Sequence, residues 1–390
     1  MTGVGQGLAF SLADADRELV KRVSQFGRAA VAPAAEDRIR ERRFDMALWG
    51  GAAQLGLTGM SLEPGGQRGI LRACLALEAL QASGSDSGLS LSLAAHLALC
   101  LAPLVAFGSK QQRERYVPAL ASGEAIGGLA ITEPGHGSDA TGIETTARPT
   151  GGGFRLDGVK TYVTNGSLAD VLVVLARTGD GDLGFGLTAF LVEPRSTAGV
   201  RAEDLHLSGY RSTRISRVEL DGAEVGPGQV LGRLGAGFHT VARRAFELER
   251  SVMLGPVVGD MQRCLDECVA FASSRRSAGY PIAAHGQVQR RLADMKARLE
   301  SARWAVYRAA WGQDAAVADS TSGPVAKKVV SEGALANAAD AMQVMGAAGA
   351  HEHGPVARTL HDARLAGIAG GTIELQEQAL VAAMIDQRDP

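Results

Sequence analysis

The chain has 390 residues, 46% of them apolar, a formal net charge of −2 and four cysteines. That charge leaves no electrostatic footprint for nucleic acid or an anionic membrane, and so few cysteines do not make a disulfide scaffold. No apolar run is read as membrane-spanning and Met1–Phe10 has no basic start before a hydrophobic stretch, so a cytoplasmic protein is expected.

Residues 1–126 read as an all-helical domain. Asp14 and Asp16 are candidate caps for a segment in which Leu19, Val20, Val23, Phe26 and Ala30 recur at helical spacing, until Pro33 interrupts it. Phe44–Leu57 is amphipathic and leads to a turn around Pro64-Gly65-Gly66. Ile70–Ala82 and Leu89–Phe107 continue the helical pattern. Ser109–Leu120 turns Gln111, Arg113 and Arg115 outward and Tyr116, Val117 and Leu120 inward.

From 127 to 236 the period changes. Short β-prone runs stand at Gly128–Thr132, Phe154–Asp157, Tyr162–Thr164, Val171–Arg177, Leu187–Val192 and Ile215–Leu220. Strands so spaced predict a small barrel or a pair of packed sheets. Thr178–Gly186 reads as a solvated hairpin tip. No GxGxxG joins a strand to a helix, which argues against a dinucleotide-binding Rossmann unit.

Two stretches of this region are candidates for chemistry, although either alone also reads as a tight turn in a β-rich segment. In Ile131–Gly142, ITEPGHGSDATG, Pro134 fixes one torsion, and Gly135 and Gly137 remove side chains, so backbone N–H groups can approach a flat or charged ligand. Thr132, Ser138 and Thr141 add hydroxyls. Lys160–Gly166, KTYVTNG, reads as a strand ending in an Asn-Gly turn, with Tyr162 and Thr164 on one face.

Residues 237–390 are helical again, with candidates Phe238–Ser273, Gln287–Trp311, Pro324–Met345 and Thr372–Met384. Apolar stripes such as Val288, Leu292, Met295, Leu299, Ala302 and Val306 predict a four-helix bundle, and Pro324 suits a first helical position. Cys264 and Cys268 share a helix face and read as buried thiols. His351-Glu352-His353, followed by Gly354-Pro355, reads as a polar turn between helices; no metal site is expected.

The two motifs, in this order, resemble those of the acyl-CoA dehydrogenase flavoproteins (TEPGxGSD and WxTNG), and the resemblance spans most of the chain. It implies an α+β fold: an N-terminal helical domain, a central small β-barrel or sandwich and a C-terminal four-helix bundle. It also implies FAD as cofactor and an acyl-CoA or acyl-carrier-protein thioester as substrate. An electron-transfer flavoprotein is an example of the implied acceptor, and a homodimer or homotetramer is implied because the cofactor site is shared between subunits. Carried over, Thr132 bonds the flavin pyrimidine edge, Thr164 sits near N5, Tyr162 stands for the family's Trp, Ser138 faces cofactor or pantetheine, and Ile131 and Gly137 complete this part of the cofactor site. Arg275 matches the Arg of RxxFG, although Ala278 replaces its Phe. Gln287 stands one position late for the downstream glutamine. Gln343 and Gly346 resemble QxxGG, with Ala347 for its second Gly; Thr372 matches the threonine after the usual catalytic position. Glu63-Pro64-Gly65-Gly66-Gln67 departs from the family's Tyr-Gly-Gly-x-Gly turn.

Oxidising an acyl thioester needs a base for a proton made acidic by the carbonyl, and a hydride acceptor. Most members of the family place a glutamate before a Gly-Thr near the C-terminus. This chain reads Ile368-Ala369-Gly370-Gly371-Thr372, so that position is Gly370. The segment Ala245-Phe246-Glu247-Leu248-Glu249-Arg250 resembles the LERxVxAG of the isovaleryl-CoA and long-chain branches, whose base lies there. The resemblance therefore implies Glu249 as base, with Arg250 near the thioester and Ala369 and Gly370 leaving room for a shifted or branched chain. The plainer alternative is a surface carboxylate paired with Arg244 or Arg250. Glu247 points off another helix face, and Glu374 lies one turn beyond Gly370. γ,δ-Desaturation of an unsaturated thioester, a flavin monooxygenase or oxidase, and a non-catalytic flavoprotein stay open.

Overall fold

The structure, a computed structural model, describes residues 12–61, 69–179, 184–317, 319–351 and 354–386. Met1–Phe10, the Pro64-Gly65-Gly66 turn, the tip of the Thr178–Gly186 hairpin and Glu352-His353 lie outside the described residues.

Helices come first: α1 (Asp14–Phe26), α2 (Ala35–Arg40), α3 (Met46–Gln54), α4 (Gly69–Gly84), α5 (Ser87–Ala95), α6 (Ala102–Phe107) and α7 (Lys110–Ser122). Short polar side chains set several starts. Asp45 and Asp86 accept the N–H groups of Ala47 and Leu89, and Ser109 and Gln112 form a reciprocal capping box. A π-turn at His96–Leu101 joins α5 to α6, making one 21-residue apolar helix, Ser87–Phe107. It is long and apolar enough to cross a membrane, which corrects the reading that no run reaches that length. Its most apolar window is 83% buried within the fold, because the neighbouring helices and the first strand pack around it.

The strands are β1 (Gly127–Ala130), β2 (Thr146–Thr150), β3 (Gly153–Thr164), β4 (Val171–Arg177), β5 (Leu187–Val192), β6 (Val200–Asp204), β7 (Ile215–Val225) and β8 (Val230–Leu231). They form one sheet in the order β6-β7-β3-β2-β4-β5-β8, with β1 parallel to β4. On β4, Val171, Val173 and Leu175 enter the helical core, while Leu172, Val174 and Ala176 enter a second core with Leu156, Val163, Val218 and Leu220. A strand buried on both faces reads as an unbroken apolar run, which is why β4 and β5 match their expected bounds. The runs Phe154–Asp157 and Tyr162–Thr164 are one strand, β3, interrupted by register shifts between Leu156 and Gly158 and between Lys160 and Val163. β2, β6 and β8 are additional; β6 reads Val-Arg-Ala-Glu-Asp and is an exposed edge without alternation.

The C-terminal helices are α8 (Arg243–Glu249), α9 (Gly255–Ser274), α10 (Gly286–Asp314), α11 (Ser322–Met345), α12 (Pro355–Ala366) and α13 (Ile373–Asp386). The single helix expected over Phe238–Ser273 breaks at Arg250 and Ser251, just after Glu249. Pro256 explains the break: a continuous helix would drive its ring into the carbonyl of Val252. Helix α12, opened by Pro355, was not expected. It packs on α9 and α11 and stands as the fourth member of the bundle with α9, α10 and α11; α13 packs on α11. Helix α11 starts at Ser322, so Pro324 is its third residue.

His96 ties the long apolar helix to β1. Its Nδ1 accepts the Gly127 N–H (3.0 Å), and its Nε2 lies 3.2 Å from the carbonyls of Thr58 and Leu120. The ring therefore carries its proton on Nε2 and is neutral; burial holds its pKa down to about 4 from 6.5. Between those values the unfolded chain binds the extra proton and the folded chain does not. Stability present above pH 6.5 is thus lost as pH falls toward 4, by about 3 kcal/mol at most. Thermal melts across this window should show the decline, and His96→Asn should flatten that slope.

Candidate active site

After β1 the chain turns through Ile131–Gly142. Glu133 and His136 close the turn over Pro134 and Gly135 with two backbone hydrogen bonds, 2.9 and 3.1 Å. The buried Glu133 carboxylate accepts the N–H groups of Glu144 (2.6 Å) and Thr145 (2.9 Å) and the Thr145 hydroxyl, which closes the far end of the loop. Lys160, fully buried on β3, places Nζ 2.7 Å from Glu133 and 3.0 Å from the Ile131 carbonyl. The Thr161 N–H donates to the Thr132 carbonyl at 2.8 Å. The two motifs are thus stitched together by a buried ion pair and a main-chain bond. Burial draws Lys160 down to about 8 against the pull of Glu133. Burial alone would raise Glu133, but Lys160, Thr145 and the Glu144 N–H hold it below the ordinary carboxylate value.

The outward face of this assembly carries the groups expected to meet a cofactor. Tyr162 is 60% exposed, at φ +55 on the irregular part of β3. Val163 enters the second core, so Tyr162 and Thr164 flank it on the other face. Thr132 is half-buried, Gly137 and Ser138 are exposed, and Ile131 is buried with its carbonyl held by Lys160. A Cβ added to Gly135 or Gly137 would meet nothing within 4 Å. An exposed aromatic ring beside hydroxyls and open backbone fits a planar ring system with a polar edge, as FAD has.

The second half of the site lies where α8 ends. Glu249 is its last residue and is 9% exposed. Opposite stands Gly370, at φ +72, with Gly371 at φ +84. A Cβ built on Gly370 would lie 2.4 Å from Cδ and 2.5 Å from Oε1 of Glu249. The carboxyl therefore occupies the space that a side chain at 370 would need. The room read at Gly370 for a shifted or branched acyl chain is filled by Glu249 itself, while Ala369 is exposed.

Glu249 forms no ion pair among the described residues, in contrast to the surface-pair alternative. Arg243 and Arg244 lie 3.1 and 3.7 Å from Glu247, which is half-exposed, and the Arg250 Nε is buried without a hydrogen-bond partner among the described residues. Burial raises the Glu249 pKa above the ordinary carboxylate value, and Lys327 and Arg250 oppose that rise. Glu374 is exposed on the first turn of α13.

Two further residues hold the Gly370 turn and were not singled out from the sequence. Lys327 on α11, 4% exposed, donates to the carbonyls of Ala366 and Ala369, both at 2.5 Å. Gln376, fully buried, donates to the carbonyls of Gly371 (3.2 Å) and Thr372 (3.3 Å). The available signal was a lysine on the same helical stripe as Val330 and Ala334. Of the remaining cofactor candidates, only Thr372 is tied to this turn by a hydrogen bond among the described residues, through its carbonyl and Gln376. Arg275, Gln287, Gln343 and Gly346 are exposed, and Thr372 is half-buried before α13.

Helices, one mixed sheet and a helical bundle, with an exposed ring platform on β3 and a buried carboxyl at the end of α8, have the layout of a flavin-dependent dehydrogenase. Family models for the N-terminal, middle and C-terminal domains of acyl-CoA dehydrogenase match residues 13–124, 128–223 and 235–385. An L-prolyl-[peptidyl-carrier protein] dehydrogenase of Pseudomonas fluorescens is 35% identical over 87% of this chain and 90% of its own. An acyl-CoA dehydrogenase of Bacillus subtilis is 34% identical over 91% of this chain and 94% of its own. Among solved structures, the FAD complex of PigA has a TM-score of 0.90 at 29% identity, over 97% of this chain and 100% of that one. The chain belongs to the acyl-CoA dehydrogenase family: it is an FAD-dependent oxidoreductase acting on CH–CH groups.

Gly370→Ala tests the contact with Glu249. The new Cβ must displace the carboxyl and adopt a left-handed torsion, which should cost about 1–3 kcal/mol in denaturant unfolding. Flavin reduction should slow by more than that loss of folded protein accounts for.

Proposed function

We propose that the protein dehydrogenates an acyl thioester, carried by CoA or a carrier protein, with Glu249 as the base. The observation that carries this is the Glu249 carboxyl lying against Gly370, buried and without an ion pair among the described residues. Bound FAD supplies the hydride acceptor. Tyr162, Thr132, Thr164, Gly137, Ser138 and the Ile131 backbone hold it on one subunit. Arg275, Gln287, Gln343, Gly346 and Thr372 serve a neighbouring subunit's cofactor in a homodimer or homotetramer; the exposure of the first four supports that reading. Glu249 takes the proton next to the thioester carbonyl, and its burial raises its pKa toward working pH. Arg250, with a buried Nε to satisfy, orients the thioester arm. The reduced enzyme passes its electrons to an acceptor such as an electron-transfer flavoprotein, in the cytoplasm.

An anaerobic titration with saturated acyl-CoA and acyl-carrier-protein thioesters tests the reading. One of them should bleach the flavin and lose two hydrogens by mass; bleaching only by an external reductant would overturn it. Glu249→Gln should keep FAD bound and lower the reduction rate by about 10²–10⁴-fold. In the parent the rate should fall on the acid side through a pKa above the ordinary carboxylate value.

A further inference from the structure

Lys327 presents a question of its own. A buried ammonium is costly unless its donors are placed. Two of the three N–H groups of Lys327 go to the carbonyls of Ala366 and Ala369. Ala366 is the last residue of α12, where carbonyls lack intrahelical partners and carry partial negative charge. Ala369 immediately precedes Gly370. The ammonium thus clamps both ends of the short turn that delivers Gly370 to the Glu249 carboxyl.

Lys327 and Glu249 form no ion pair, yet each acts on the other's charge. A direct salt bridge would occupy the lone pairs a base has to offer. A cation held one step back by main-chain carbonyls favours the ionised carboxylate and leaves its oxygens open. The other charged group facing Glu249 is Arg250, on its own turn. Residues 366–372 of the opposing turn include no ionisable side chain.

We propose that Lys327 is a positioning residue for the base: it fixes the 366–370 turn beneath Glu249 and supplies, without an ion pair, the cation that lets a buried carboxylate ionise. Its catalytic consequence rests on Glu249 being the base; its effect on the charge of Glu249 does not.

The test uses the FAD-loaded full chain and two variants. Lys327→Gln keeps N–H donors for the carbonyls and loses the charge, and Lys327→Arg keeps the charge. The first readout is melting. Glu249 has a folded pKa above its ordinary 4.5, so it binds its proton more tightly folded than unfolded and costs stability as pH rises through that window. The Tm gain of Glu249→Gln over the parent should therefore grow with pH and level off above the folded pKa. With Lys327→Gln in both proteins, the plateau should begin about one pH unit higher, and with Lys327→Arg it should not move. A plateau unmoved by Lys327→Gln overturns the proposal. If Lys327→Gln does not fold, Lys327→Met, which also removes the charge, takes its place: a plateau displaced upward upholds the proposal, and one at the parent pH overturns it. The second readout is the pH profile of flavin reduction by the thioester that bleaches the parent. Its acid limb should move up with Lys327→Gln, with about a tenfold loss of rate below the limb and recovery in Lys327→Arg. Should Glu249→Gln still reduce the flavin, the base assignment falls and the melting readout still judges Lys327.

Discussion

A carboxyl group and the bare backbone of a glycine compete for one small volume in this protein, and the end of α8 and the turn after α12 are arranged around that exclusion. Glu249 reaches the site because Gly370 lacks a side chain, and Gly370 keeps its left-handed torsion because no Cβ has to be accommodated. Neither position makes sense alone. The helix break after Glu249 belongs to the same arrangement: Pro256 ends the continuity of the long helix, and the carboxylate sits on the last regular turn before it.

Two buried lysines do similar work in different places. Lys160 holds the loop after β1 through the Ile131 carbonyl and the Glu133 carboxylate; Lys327 holds the turn after α12 through two carbonyls. Burial brings both down to about 8. In each case a long side chain from a regular element reaches across to an irregular segment that carries candidate site residues. Irregular backbone leaves carbonyls without partners, and an ammonium can satisfy several at once. Precision at the site thus comes from helix α11 and strand β3 rather than from the loops themselves.

The sequence was most readable where one rule acted alone. Doubly buried β4 and β5 announced themselves as apolar runs, and the capped helix after Ser109 carried its own start signal. Glu249 and Gly370 could be paired across a wide stretch of chain because a resemblance supplied the reason to compare them. Other features were hidden because they depend on partners distant in sequence. Lys160 reads as a polar interruption of a strand, and Lys327 reads as one of two adjacent surface lysines until α12 is packed beside it. Helix α12 was missed because the Gly354-Pro355 punctuation reads equally well as a turn and as a helix start. The break at Arg250 was missed because the apolar period continues across it.

The long apolar helix Ser87–Phe107 has a consequence for biogenesis. Its partners include β1, made one helix later, and α9, made only after the whole sheet. Until then a segment resembling a membrane span is only partly covered on a nascent chain, open to insertion machinery and to other growing chains. Its docking against later elements is therefore a race that synthesis speed and chaperone capture will decide, and yields of recombinant material should respond to both.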